Sequence, residues 1–462
     1  MAVVKKITST ALVLMLTIPL AAAVVVLSIV LPVQMNRRFE AGHRLGYSEG
    51  WRDANEYRDG APEEFHFHLS WGTLATLYSS LLFMQNNIPT YVYMGRRNTF
   101  NIDQMPGHVT HLFTGYGNHI PTDHFTNAQI LNELRTHIQR IDAETEGGAR
   151  FHIFIEEWFM MVAWNALLTS SICESRFQIT LLSSGAGDMI TPAPWDASGI
   201  SQFPQRRTEF EAHLQQFRNN TGIANDVAFA FNMSNGGRYK LVAAQRPNVR
   251  FLFQFPEYYI LQPNLTNEVR AELMRTNIVK KQPVDLLNML PQYRQQTFFN
   301  AVLNNPNNRV DGQPLTRALL DTFLLREEED KPVLIVSGTW DWVGPNNDQV
   351  VFPQPAVFQQ IVDEFGDDFE IMFKPHPTGM PTGTLLTWLN NNNIRVLPPQ
   401  IPMEVLMWAY PDSFIGGYSS SLYAAIPASQ VLFFVGDLFG TINFLDKMGF
   451  FSYATVRFAH QI

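Results

Sequence analysis

The hydrophobic pattern of this chain changes period again and again. Apolar runs of strand length alternate with stretches whose apolar residues recur every three or four positions. In the first half, Phe65–Leu69, Thr90–Met94, Phe151–Ile155, Phe177–Leu182 and Val249–Phe253 predict strands. Helices are predicted over Thr73–Met84, Ala128–Glu144 and Asn267–Arg275, with an apolar helix between Ile155 and Phe177. The second half is more regular. Strands predicted at Pro332–Val336, Phe369–Phe373, Ile394–Leu397, Ser413–Ile415 and Gln430–Val435 are separated by helices at Ala356–Phe365, Leu385–Asn390 and Met403–Ala409, with another at Ser420–Ala425. Buried strands joined by helices argue a parallel sheet covered on both faces. Two such halves, joined near Glu327-Glu328-Glu329-Asp330, predict a two-lobed α/β protein with its ligand at the carboxyl ends of the strands.

The amino terminus reads differently. Lys5 and Lys6 precede an uncharged, mostly apolar run from Ile7 to Asn36, and Arg37 and Arg38 close it. Crossing a bilayer takes about 20 apolar residues, whereas a secretory signal has a core of about 7–15. Residues 1–36 therefore predict a membrane anchor, with a signal peptide cleaved near Ala21-Ala22-Ala23 as the alternative. Basic residues at both ends leave the orientation open. The expectation is a single-pass, type II-like protein of the Golgi lumen in a eukaryote or the inner membrane in a bacterium. Residues 37–63, polar and glycine-containing, read as a stalk. The domains expected beyond it are 64–328 and 329–437, with 438–462 packing back on the first.

Composition narrows the class. With 46% hydrophobic and 16% charged residues in 462, the chain is a folded protein. A net charge of −9 argues against a general nucleic-acid binder, which needs a basic field, but not against one bound nucleotide. Cys173 is the only cysteine, so no intramolecular disulfide forms. No Cys/His grouping has structural-zinc spacing, and no metal or cofactor is expected.

Three segments fall at predicted strand ends of the second half. Gly416-Gly417-Tyr418-Ser419-Ser420-Ser421 places a glycine pair before hydroxyls that open a helix. That arrangement suits a phosphate, and equally an ordinary serine N-cap. Phe373-Lys374-Pro375-His376-Pro377 stiffens a loop around a histidine able to give a proton to a phosphate leaving group, beside a lysine charge; a surface turn is the plain alternative. Ser337-Gly338-Thr339-Trp340-Asp341-Trp342 offers two indoles, fit for sugar faces or for covering a sheet. Glu404 opens the helix between two of these loops, where a carboxylate can accept ribose hydroxyls or simply favour the helix dipole.

Together these segments resemble the nucleotide-binding domain of the bacterial multifunctional sialyltransferases. That family runs from a TGTTTW-like loop through FKGHP and ISFEVLM to GG-x-x-SSLY. Here Ser337–Trp342, Phe373–Pro377, Ile401-Pro402-Met403-Glu404-Val405-Leu406-Met407 and Gly416–Tyr423 follow in the same order, within Val333–Val435. In the first half, Phe253-Gln254-Phe255-Pro256-Glu257-Tyr258-Tyr259 is similar to a stretch preceding the family's interdomain helices. The resemblance implies a GT-B fold, two Rossmann-like domains facing a central cleft. It implies inverting, metal-independent transfer of sialic acid from CMP-sialic acid to a galactoside. By similarity His376 is the general acid at the CMP phosphate, and Ser420 and Ser421 hold that phosphate. Glu404 holds the ribose, Gly338 belongs to the base-binding loop, Lys374 and Pro377 flank the donor, and Trp342 lies on the acceptor side.

One departure matters. The family's YDDGS-like segment supplies the general base through its second Asp. The matching stretch here is Leu182-Ser183-Ser184-Gly185-Ala186-Gly187-Asp188, with serines in place of both carboxylates. A serine cannot take a proton from a sugar hydroxyl without a base of its own. Asp188 or another nearby carboxylate substitutes, or the alignment slips here, or the protein binds without catalysing. The expectation is transfer of sialic acid or a related acid sugar from a CMP donor to a glycan acceptor, with His376 and Asp188 catalytic. The alternatives are a non-catalytic nucleotide- or glycan-binding relative and a GT-B enzyme with a UDP-sugar donor.

Overall fold

The computed structural model describes residues 63–462 except 96–98, 102–103, 114–124, 185–198, 257–258, 260–265, 307, 311–312, 325–330, 344–347, 353, 377–380, 382, 400, 418–421, 423–424, 435–456 and 459–462. The expected anchor and stalk lie outside these residues. Among the described residues no helix is long and apolar enough to cross a membrane.

Seven parallel strands build the first sheet: β1 (Glu64–Ser70), β2 (Thr90–Met94), β3 (Val109–His111), β4 (Arg150–Glu156), β5 (Phe177–Leu182), β6 (Val249–Phe253) and β7 (Ile278–Lys280). Their order is β3-β2-β1-β4-β5-β6-β7. The central strands are buried almost throughout, as both-face coverage requires. Helix α1 (Thr73–Phe83) follows β1, and α2 (Asn127–Glu144) precedes β4. Thr126 and Gln129 close a capping box at the start of α2, and Ile130, Leu131, Leu134, Ile138 and Ile141 form its buried stripe. Helix α3 (Met160–Thr169) follows β4 and is apolar on all sides because it is buried on all sides. Helices α4 (Gly199–Arg218) and α5 (Met233–Ala243) lie between β5 and β6.

A small hairpin, β8 (Arg309–Val310) with β9 (Gln313–Pro314), precedes the second sheet. That sheet holds β10 (Val333–Ser337), β13 (Glu370–Lys374), β14 (Arg395–Val396), β15 (Phe414–Gly417), β16 (Val431–Phe434) and β17 (Arg457–Phe458), in the order β14-β13-β10-β15-β16-β17. Counted within each sheet, both follow the sequence 3-2-1-4-5-6, the first with one strand more. Strand order reverses between β1 and β4 and between β10 and β15. At such a reversal the loops leave in opposite directions and open a crevice at the carboxyl ends.

One feature differs from the sequence reading. The segment after Gly338, read as a ligand loop, is a strand, β11 (Thr339–Val343), paired antiparallel with β12 (Asp348–Phe352). Of the carboxyl-terminal segment only β17 is described, and it pairs with β16. The helix expected over 420–425 falls mostly outside the described residues. The lobes touch where Tyr410, after helix Met403–Ala409, donates to Asp321 Oδ1 at 2.6 Å and lies 4.5 Å beneath the Arg317 guanidinium. Burial and that carboxylate push the phenol of Tyr410 well up.

Candidate functional site

The second sheet brings the expected loops to one edge. Ser337 ends β10 and sits in register with Lys374 of β13 on one side and Gly417 of β15 on the other. Gly338 N donates to Lys374 O at 2.8 Å, tying the β10 loop to the end of β13. Ser337 Oγ donates to Gly416 O at 3.1 Å across the strand reversal. The loops bearing Gly338, His376 and the glycine pair therefore leave neighbouring parallel strands at the same end. Both glycines are forced by close packing. A Cβ on Gly416 would stand 2.0 Å from the Phe433 ring, and Gly417 combines φ of +136° with a Cβ 2.4 Å from Ser337 Oγ.

Lys374 is turned inward rather than toward the crevice. It is buried, and Nζ donates to Pro375 O and Pro399 O, each at 2.9 Å. Burial pulls its pKa down to about 7, against the opposing pull of Glu404. An amine that bonds two carbonyls fixes the histidine loop against the loop leading to Glu404. The charge read from the sequence as facing a phosphate is thus used inside the protein. Glu404 is itself buried in the first turn of Met403–Ala409. His376 is half-buried, two residues beyond β13. Trp342 lies in β11. Pro377, Ser420, Ser421 and Asp188 lie outside the described residues.

The carboxyl edge of the first sheet carries chemistry that the sequence reading missed. Glu156 ends β4 and accepts Trp71 N and Gly72 N, both at 2.7 Å, across the reversal between β1 and β4. It thereby caps the start of α1. Glu157, the next residue, is fully buried. Its Oε2 accepts Ser184 N at 2.8 Å and its Oε1 accepts Ser184 Oγ at 2.9 Å. Trp158 Nε1 donates to the same Ser184 Oγ at 2.6 Å. Lys240 of α5 is buried with Nζ 4.7 Å from the centre of the Trp158 ring. Burial lowers that lysine to about 8, offset in part by Glu157. Burial also raises the Glu157 carboxyl, while Lys240 and the Ser184 bonds hold it down. Helix α5 can come this close because Gly236 and Gly237 face Trp158, where added Cβ atoms would stand 2.1 Å from Trp158 O and 2.6 Å from its ring. The available signal was a pair of acids, Glu156-Glu157, inside the apolar run from Phe151 to Leu168.

Among the described residues, one group has the make-up and spacing of a metal site: Glu64, His66 and His152. Glu64 Oε1 bonds His66 Nε2 at 2.9 Å and lies 3.9 Å from His152 Nδ1. These residues sit at or near the amino ends of β1 and β4, away from the edge that carries Glu156 and Glu157.

The fold has known counterparts. Over 86% of this chain, it is similar to a 2,6-sialyltransferase of Photobacterium sp. JT-ISH-224, solved with the donor product CMP and the acceptor substrate lactose; the match covers 78% of that chain at 17% identity and a TM-score of 0.57. An α/β-galactoside α-2,3-sialyltransferase from Photobacterium phosphoreum is similar over 86% of this chain and 98% of its own, at 13% identity and a TM-score of 0.54. No protein-family model matches the chain, and no curated protein matches it. At these identities the likeness establishes a shared fold, that of sialyltransferases.

Proposed function

We propose that this chain is a sialyltransferase-like glycosyltransferase, moving sialic acid or a related acid sugar from a CMP donor to a galactoside-type acceptor with inversion and without a metal. One observation carries the reading: motifs that resemble a sialyltransferase nucleotide site fall on adjacent carboxyl ends of β10, β13 and β15, in a fold shared with two such enzymes. In this reading the donor phosphate lies at the His376 loop and the glycine-serine turn. His376 gives a proton or a charged hydrogen bond to the departing phosphate oxygen. Lys374 acts one step back, holding that loop through Pro375 and Pro399. Glu404 takes the ribose and Trp342 the acceptor side. Residues 7–36 attach the enzyme to a membrane.

The test is calorimetry with CMP, in competition against UDP. The expected result is CMP binding that UDP does not displace, and loss of transfer in His376→Ala. Preference for UDP would assign another donor. Ser183 and Ser184, standing where the resemblance has two aspartates, favour a second reading: a non-catalytic relative that binds CMP or glycan. CMP binding with no turnover across a broad acceptor panel would support it.

A further inference from the structure

The transfer needs a base for the acceptor hydroxyl, and the first sheet holds one on a different strand from the expected aspartates. We propose that Ser184 and Glu157 form a two-residue proton relay that deprotonates the acceptor, an inference that rests on the glycosyl-transfer reading above.

The hydrogen bonds around Ser184 fix the direction of its proton. An indole N–H can only donate and a carboxylate can only accept. Trp158 Nε1 donates to Ser184 Oγ at 2.6 Å, so one serine lone pair is taken. Glu157 Oε1 lies 2.9 Å from the same oxygen, so the serine hydrogen points to the glutamate. Among the described residues the second lone pair is left to accept the hydrogen of an incoming sugar hydroxyl. Ser184 is partly exposed, just beyond β5, while Glu157 is wholly buried behind it. The sugar therefore meets the serine, and the serine connects it to the carboxylate.

The remaining contacts hold this geometry. Ser184 N also bonds Glu157, so the serine is pinned through backbone and side chain alike. Gly236 and Gly237 let α5 seat Lys240 against Trp158. Glu156 differs from its neighbour: its carboxylate caps α1 and makes no such bond to the serine among those seen. Burial raises the proton affinity of Glu157, which makes it the stronger base. The titratable groups facing it are Lys240 from α5 and Tyr78 from α1.

The step balances. The acceptor oxygen bonds the anomeric carbon as the bond from that carbon to the CMP phosphate oxygen breaks, and the electron pair leaves with CMP. The acceptor proton passes to Ser184 Oγ while the serine proton passes to Glu157. The glutamic acid then returns its proton through Ser184 Oγ, the partly exposed end of the relay, to solvent.

The experiment uses the full chain with CMP-sialic acid and lactose, and measures Glu157→Gln, Ser184→Ala and the double variant Glu157→Gln/Ser184→Asp. Glu157→Gln and Ser184→Ala should each lower kcat roughly 100-fold or more, the range of general-base contributions, with CMP affinity by calorimetry unchanged. The double variant puts a carboxylate where the serine hydroxyl stood. It should recover activity above Glu157→Gln alone and move the acidic limb of the pH profile downward. A purely structural Glu157 predicts no such rescue and no such shift. Wild-type turnover with a folded Glu157→Gln or Ser184→Ala within about 3-fold of it would overturn the relay, as would loss in Asp188→Asn alone, since general bases contribute far more. Should Glu157→Gln not fold, Ser184→Ala decides the matter by itself. Absence of wild-type turnover, with CMP bound, would instead overturn the glycosyl-transfer reading and the relay with it.

Discussion

Each sheet buries a lysine and a glutamate near its carboxyl edge, and the two pairs are put to different uses. In the second sheet, Lys374 gives its hydrogens to Pro375 O and Pro399 O, with Glu404 near enough to favour the charged amine. That pair is a clamp that sets where His376 stands. In the first sheet, Lys240 lies against the face of Trp158, and the Glu157 oxygens turn to a partly exposed serine. Here the lysine moderates a buried carboxylate whose oxygens bond a partly exposed serine. The lesson is that a buried lysine and a nearby glutamate beside a crevice are defined by where their hydrogen bonds go.

Breaking the pairs should separate them most strongly. Lys374→Met leaves the buried Pro375 O and Pro399 O without their donor, a change that costs about 1–3 kcal/mol when buried partners go unsatisfied. Urea unfolding should show that loss, together with weaker CMP binding as the histidine loop loosens. Lys240→Met should cost a similar amount yet leave CMP affinity intact. It should instead move the acidic limb of the activity profile upward, because Glu157 loses the charge that restrains its pKa. Equal effects on CMP binding would erase the distinction.

The lysines also give stability a pH signature with a defined sign. Both have folded pKa values below the 10.5 of the unfolded chain, about 7 for Lys374 and about 8 for Lys240. Between those values and 10.5 the unfolded chain binds more protons, so each contribution to stability rises with pH. Compared with wild type, Lys374→Met should therefore fall further behind as pH rises from about 7, with Lys240→Met doing so from about 8. Denaturation midpoints at a series of pH values would check the order.

Smaller effects test the edge of the second sheet alone. Gly416→Ala drives a Cβ into Phe433, and Gly417→Ala adds a strained φ to a contact with Ser337. Each should cost about 1–3 kcal/mol by thermal unfolding. Tyr410→Phe removes one bond to Asp321 between the lobes and should cost about 1 kcal/mol.

Much of this architecture was legible in the sequence, because period and burial leave a trace in residue order. The limits of Thr90–Met94, Phe177–Leu182, Val249–Phe253 and Met403–Ala409 agree with the structure. The hairpin after Gly338 was not, since tryptophans that suggest a sugar platform alternate equally well as a strand. The inward turn of Lys374 could not be read either, because residue order shows a charge and not where it points. The glycine pair was placed at the right strand end for a partly different reason: it admits Phe433 and Ser337. Glu157 was hidden because its partners come from β5 and α5, distant in the chain and adjacent only in the sheet.

The most direct test of the whole account is release of CMP from CMP-sialic acid by the full chain, measured with and without lactose. Release should depend on lactose and disappear in His376→Ala. Release that ignores lactose, or that survives the loss of His376, would contradict it.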